Sequence, residues 1–417
     1  MSSKKIEPRL IYADQDGNIY DHPELCMLYR RNDEFVLPGP KDITPLPPDS
    51  DIFLLPDRYA VGLDKSSGRI EYLDAHPVAA FACPGYTITG TTAYISKTDS
   101  CSLPLFAYGA VGYARDQFWI CARQVDTDPR QKFWNISTQK IEKGCKQMQN
   151  RMPQNRLVHH LSNCALTYSC PAAKNLALGR YEAPLPTAKH CNANCVGCIS
   201  KQPQNSDFPA TQNRISFTPS AREISQIMFE HAKFAQSPIY SFGQGCEGEP
   251  ILESATIRKA INMFRSKDGP GTVNINTNAS LPQEIAPLAE AGLSSMRVSI
   301  NSAREDFYVP YYQPNYSLQD VFRSIARAKE LGLFVSLNYL YFPGINDSEA
   351  EFSALCDLIQ DLKIDFIQLR NLNLDPELYL QTVPAETSPS MGLVNFQNRL
   401  SEQFPWLGFG YFNPYLG

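Results

Sequence analysis

Between residues 181 and 375, six short runs with the character of β-strands alternate with helical segments: 185–190, 238–243, 272–278, 295–301, 334–341 and 365–371. Strand and helix in strict alternation argue for a parallel sheet with right-handed crossovers, curled into a barrel. Ser220-Ala-Arg-Glu223 fits a capping box behind Pro219, and Ser317 and Asp347 stand where N-caps belong for two later helices. Ile224, Ile227, Met228 and Ala232 stripe one helix, and Val321, Ile325 and Ala328 another.

A parallel strand covered on both faces is apolar almost throughout. These strands are not. Val273 and Ile275 alternate with Asn274, Asn276 and Asn278, and Met296, Val298 and Ile300 alternate with Arg297, Ser299 and Asn301. Val335 and Leu337 alternate with Ser336 and Asn338, and Ile367 and Leu369 with Gln368 and Arg370. The apolar face belongs to the helices, so the polar face looks inward. An empty polar lumen is costly. It holds either a polar ligand with water, which four like-patterned strands favour, or a self-satisfied network.

The sharpest motif, Cys191-Asn-Ala-Asn-Cys195-Val-Gly-Cys198, directly follows the first strand run, at the edge where βα barrels place their sites. Three thiols in eight residues converge readily on one metal centre. A structural zinc site wants a fourth ligand, for which His190 and His231 are candidates. Iron–sulfur clusters usually take four cysteines, so three leave one iron free to bind something else.

The C-x3-C-x2-C motif in this setting resembles the radical S-adenosylmethionine superfamily. The resemblance covers residues 181–375 and implies a 4Fe–4S cluster on Cys191, Cys195 and Cys198. The cluster would chelate S-adenosylmethionine and cleave it to methionine and a 5′-deoxyadenosyl radical that takes hydrogen from a substrate. Gly248-Glu249-Pro250 resembles the family's Gly-Gly-Glu-Pro element, with Glu247 in place of the first Gly; Glu249 or its backbone would bind the cofactor's ammonium. Asn276-Thr-Asn278 resembles the third-strand element near the ribose. In 297–303, Ser299 and Asn301 would contact ribose or carboxylate, and Arg304 would pair with the carboxylate. Pro343-Gly-Ile-Asn-Asp347 resembles the turn near adenine. Where the family usually has an aromatic residue before the third cysteine, this chain has Gly197. The resemblance also implies a reduced flavodoxin or ferredoxin as electron donor, and an oxidoreductase or transferase reaction.

The expected fold is α/β: a partial (β/α)6 barrel over 181–375, a β-rich N-terminal domain over 1–180 that presents or shields substrate, and an aromatic-rich extension over 376–417 covering the barrel. Gln368, Arg370 and Asn371 are candidates for substrate contact; a lumenal arginine calls for an anionic partner, and Asp347 or Asp375 would supply one structurally. Cys246 reads as a substrate-proximal thiol or a small buried residue. Cys164 and Cys170, with Cys145 or Cys121, are candidates for an auxiliary iron–sulfur centre, while His159-His160 reads as a surface pair.

Residues 129–160 carry seven Lys and Arg against one acid, Glu142, with Phe133 and Trp134 among them. Such a segment can grip RNA or an acidic peptide. This supports a second reading, a zinc-stabilised RNA- or peptide-binding module without redox chemistry. The chain of 417 residues has 38 basic and 43 acidic side chains and a net charge of −5, which gives no global reason to expect nucleic acid or an anionic membrane. No apolar run approaches a membrane span. Twelve cysteines without an export signal point to a reducing cytoplasm.

Overall fold

The protein is described by a computed structural model over residues 6–417. Among these, seven parallel strands form one curled sheet in sequence order: β1 (Glu182–Pro184), β2 (Ile239–Phe242), β3 (Thr272–Thr277), β4 (Ser295–Ile300), β5 (Phe334–Tyr341), β6 (Phe366–Asn371) and β7 (Gly408–Gly410). Three helices precede the sheet: α1 (Thr138–Arg151), α2 (Arg156–Leu166) and α3 (Pro171–Ala177). Between the strands run α4 (Ala221–Ala232), α5 (Ser254–Arg265), α6 (Ile285–Ala291), α7 (Glu305–Tyr312), α8 (Leu318–Glu330) and α9 (Glu349–Leu362). After β6 come α10 (Pro376–Thr382) and α11 (Leu393–Gln403).

The sheet departs from expectation at both edges. β1 ends at Pro184 instead of occupying 185–190, because Pro184 and Pro186 have no amide hydrogen to give a ladder. Leu185 adds one last bond to Ser241 (2.8 Å). At the other edge, Gly408-Phe-Gly410 adds a seventh strand where six were expected. Its glycines are required: a Cβ at either would lie 2.5–2.7 Å from the Phe366 ring. The capping boxes at Ser220 and Ser317 form as expected. The third cap falls one residue later, on Ser348. Asp347 is buried instead, accepting from the Gly344 amide and the Tyr341 hydroxyl.

The apolar strand faces meet the helices as expected: Val273, Ile275, Val298, Ile300, Leu337, Ile367 and Leu369 are fully buried. α1–α3 join the same core through Ile141, Met148, Leu157, Leu161 and Leu176. The strands of the N-terminal region lie between Arg9 and Gln124 and are antiparallel. This region docks on the barrel by hydrogen bonds at β6. Thr87 Oγ1 donates to the Leu369 carbonyl (2.7 Å), and the Asn371 side chain bridges the Tyr86 carbonyl and the Ile88 amide. Arg58 and Asp375 make a buried ion pair at 3.3 Å across the same junction. Among the described residues, no helix is long and apolar enough to cross a membrane.

One buried carboxyl links the barrel's helical layer to its strand ends. Glu351 on α9 accepts from Ser302 Oγ, the Ala303 amide and the Tyr339 hydroxyl, and burial pushes it up from the ordinary 4.5 to about 7. The folded state therefore holds this proton more tightly than the unfolded chain does, and stability falls as pH rises from 4.5 to about 7. Glu351→Gln should flatten that fall by up to about 3 kcal/mol, measured by urea unfolding of both proteins across this pH range.

Candidate active site

The cysteine loop is positioned by backbone bonds to two neighbours. On one side it zips onto the end of α7 and the residues beyond. The amides of Asn194 and Val196 donate to the carbonyls of Tyr312 and Tyr311 (both 3.0 Å), and the Asn315 amide donates to Asn192 (2.9 Å). On the other side it meets the loop after β2. The amides of Gly248 and Glu249 donate to the carbonyls of Ala188 (2.6 Å) and His190 (2.8 Å). A Cβ on Gly248 would sit 1.9 Å from the His190 carbonyl oxygen, so only glycine permits this approach.

Glu247 reinforces that junction from below. Its Oε2 accepts from the amides of Thr187 (2.7 Å) and Ala188 (2.9 Å), and its Oε1 from those of Gly243 (2.8 Å) and Gln244 (2.6 Å). Burial pushes the carboxyl up to about 7 while the four amides pull it down. Glu249 does the same between β2 and β3. It accepts from the Ile251 amide (3.0 Å), the Asn278 amide (2.8 Å) and the Thr277 hydroxyl, and burial likewise raises it to about 7.

These loops open on a cavity of about 400 Å³. Cys191, Cys195, Cys198, Gly248, Glu249, Asn278 and Ser299 all line it, together with Arg297, Arg370, Asn371 and Asn373. Asn278 is fixed by its side-chain bond to Asn192 in the cysteine loop (2.8 Å). Burial pushes the Cys191 and Cys195 thiols up, so a metal loaded here must displace their protons. Arg214 Nη2 reaches Cys198 Sγ at 3.4 Å and places a positive charge beside that thiol.

Neither Arg297 nor Arg370 has a carboxylate partner among the described residues. Arg297 donates to Gln368 Oε1 (2.9 Å), and Arg370 to the Tyr411 carbonyl (3.0 Å) while lying 4.0 Å above the Tyr411 ring. Burial, followed by Arg370, lowers the Arg297 guanidinium to about 9. The acids offered as structural partners are spoken for: Asp375 by Arg58, and Asp347 by its turn. Two polar atoms near the cavity, Arg297 Nε and Asn373 Oδ1, are buried without partners.

The lumen divides by depth. Its floor is a closed network: Asn274 joins Ser241, Ser295 and Asn276, and Asn413 joins Glu182, Ser241 and Gln368. Of this network only Asn276 reaches the cavity; the other residues lie beneath it.

Three expected contacts lie elsewhere. Asn301 turns away from the cavity to the Phe307 carbonyl and the Tyr379 hydroxyl. Arg304 does not reach it either, because Glu386 and Asp306 hold its guanidinium over the Phe307 ring. Gln368 is fully buried in the floor and orients Arg297. The basic segment is also partly spent. Arg130 pairs with Asp128, Arg151 with Glu230 and Arg156 with Glu223, leaving less free charge for RNA than its composition suggests. His231 Nε2 donates to the Tyr181 carbonyl (3.0 Å) and is no ligand for the loop.

Residues 185–356 match the family model of the Radical SAM superfamily. The barrel is a radical SAM domain. Among curated proteins, the chain is 29% identical over 187 residues to the GTP 3′,8-cyclase of Campylobacter lari, covering 45% of this chain and 53% of that protein. It is also 29% identical over 160 residues to the GTP 3′,8-cyclase of Aquifex aeolicus, covering 38% of this chain and 47% of that one. The chain thus spans about half the length of the curated relatives it matches. Among solved structures it is similar to Streptococcus suis SuiB bound to precursor peptide SuiA, with a TM-score of 0.41 and 12% identity over 61% of this chain and 53% of that one.

Within the radical SAM domain, Arg214, Tyr311 and Tyr312 also line the cavity, and no sequence motif singles them out. Arg214 sits in an irregular loop with no periodicity to mark it. Tyr311 explains Gly197: a Cβ there would lie 2.7 Å from the Tyr311 hydroxyl, so an aromatic ring from α7 occupies the space. Gly248→Ala should force the two loops apart. The protein should stay folded by circular dichroism while Cys191 is alkylated markedly faster than in the wild type.

Proposed function

We propose that this radical SAM enzyme holds a 4Fe–4S cluster on Cys191, Cys195 and Cys198, binds S-adenosylmethionine beside it, and acts on an anionic substrate. One observation carries the reading. A single cavity joins three loop thiols to two arginines that lack a carboxylate partner among the described residues. The thiols fit a cluster better than one zinc ion. At a Zn–S distance of about 2.3 Å, tetrahedral thiolates stand roughly 3.8 Å apart. The described residues contain one three-ligand group closing to within 4.8 Å, and it is not this loop.

When bound, the cluster and S-adenosylmethionine supply a 5′-deoxyadenosyl radical that takes a hydrogen atom from the substrate. The chain's own residues bind, orient and shield. Glu249, its oxygens engaged by three donors, fixes the ends of β2 and β3 and leaves the cofactor's ammonium to the loop backbone. Asn278 and Ser299 line the wall offered to ribose. Arg214 offsets negative charge at Cys198. Arg297 and Arg370 receive a carboxylate or phosphate, with Asn371 and Asn373 beside them. The N-terminal region, docked on β6, excludes water from that end, as radical chemistry requires. A reduced flavodoxin or ferredoxin is the electron source such chemistry calls for. The relatives' names make GTP the first substrate to try.

Anaerobically reconstituted wild type, given S-adenosylmethionine and dithionite with GTP, should form 5′-deoxyadenosine, and the Cys191/Cys195/Cys198→Ala variant should form none. Zinc bound in place of iron and sulfide in the wild type would sink the reading. Arg297→Met removes a buried unpaired charge, so the free protein should melt at the same temperature or higher. Binding of the anionic substrate should weaken by roughly 10- to 100-fold, the loss of one charge-assisted hydrogen bond, in equilibrium titration.

A further inference from the structure

A second group of metal-binding side chains lies behind the loop that follows β2. His160 and Cys164 are four residues apart on α2 and so share one helix face. The loop brings Cys246 onto them. The His160 Nε2 lies 3.4 Å from Cys246 Sγ and 3.6 Å from Cys164 Sγ, and all three ligand atoms lie within 4.8 Å of one another. Both cysteines are buried and His160 is half-buried. His159 faces the other way, toward the Pro153 carbonyl.

The two thiols also hydrogen-bond each other, and both still press on one ring nitrogen. One ring nitrogen has a single proton or a single lone pair, yet two sulfurs crowd the same Nε2. A tetrahedral ion does account for it. With Zn–S about 2.3 Å and Zn–N about 2.0 Å, sulfur and nitrogen ligands stand roughly 3.5 Å apart, which matches both contacts. Thiolate with imidazole is the donor set of zinc.

We propose that His160, Cys164 and Cys246 form a mononuclear zinc site. The fourth position falls to water. The site replaces the auxiliary iron–sulfur centre expected from Cys164 and Cys170. Only two thiols and one imidazole converge here, Cys121 lies in the N-terminal core, and Cys145 is not part of the group. Its place in the fold gives it a task. Cys246 lies between Gly245 and Glu247, which line the cavity, and its carbonyl accepts from the Ile215 amide (2.7 Å). The ion staples α2 to the loop that carries Gly248 and Glu249.

The site does not depend on the radical chemistry, and the experiment separates the two. Full-length Cys191/Cys195/Cys198→Ala protein, stripped with chelator under anaerobic conditions, is titrated with Co²⁺ alone. It should bind one equivalent, show thiolate-to-cobalt charge-transfer absorption, and lose that absorption when Zn²⁺ is added. Adding Cys164→Ser and Cys246→Ser should abolish the band. In the unsubstituted Cys164/Cys246 protein, Zn²⁺ should slow iodoacetamide labelling of both thiols at least tenfold, read by peptide mass spectrometry. This second readout holds even if the serine variant misfolds. The proposal fails if the triple variant binds no cobalt, if iron with sulfide occupies the site, if the band survives the serine substitutions, or if zinc leaves labelling unchanged.

Discussion

The site depends on a buried carboxylate that binds only backbone. Glu247 collects four amide hydrogens, two from the approach to the cysteine loop and two from the loop after β2. Neither segment is regular secondary structure, so these amides have no ladder partner, and one side chain of the loop after β2 serves both segments. With them gathered on one side chain, the two loops lie close enough for Gly248 to press against the His190 carbonyl. That contact acts with the Asn192–Asn278 bond to hold the three thiols against the cavity wall. The position that departs from the Gly-Gly-Glu-Pro pattern is therefore the one that ties the two loops together.

Much of this is legible in the chain because periodicity records burial. The alternation in β3 to β6 tells which side chains face the helices and which face the lumen, and the strand faces agree. The motif cysteines stand out by spacing, the family resemblance implies Gly248, Glu249, Asn278 and Ser299, and all share one cavity. The residues that fall elsewhere have a common cause. The sequence sets Arg304 and the basic residues of 129–160 beside near neighbours, while their partners include side chains from other segments: Glu386 and Glu223 or Glu230. Local sequence carries no signal for such pairings. The same holds for His160 and Cys246, which lie 86 residues apart.

The lumen shows how one pattern can serve two ends. Near the floor, asparagines and serines satisfy each other and need no ligand. Near the mouth, the same strands present Arg297 and Arg370 to an open space, with no acid among the described residues paired to either. Polar satisfaction below provides the rigidity on which unsatisfied charge above can be held.

The floor also bears on how the chain reaches its native state. Asn413 donates to Glu182, 231 residues earlier, and to Ser241 within the same network, while accepting from Gln368. A nascent chain that has delivered six strands still lacks the residue that satisfies this polar floor. The barrel is therefore completed late, by a contact of very high sequence separation, and the partly built sheet waits with a wet interior. During synthesis the floor of the barrel can close only once Asn413 has arrived.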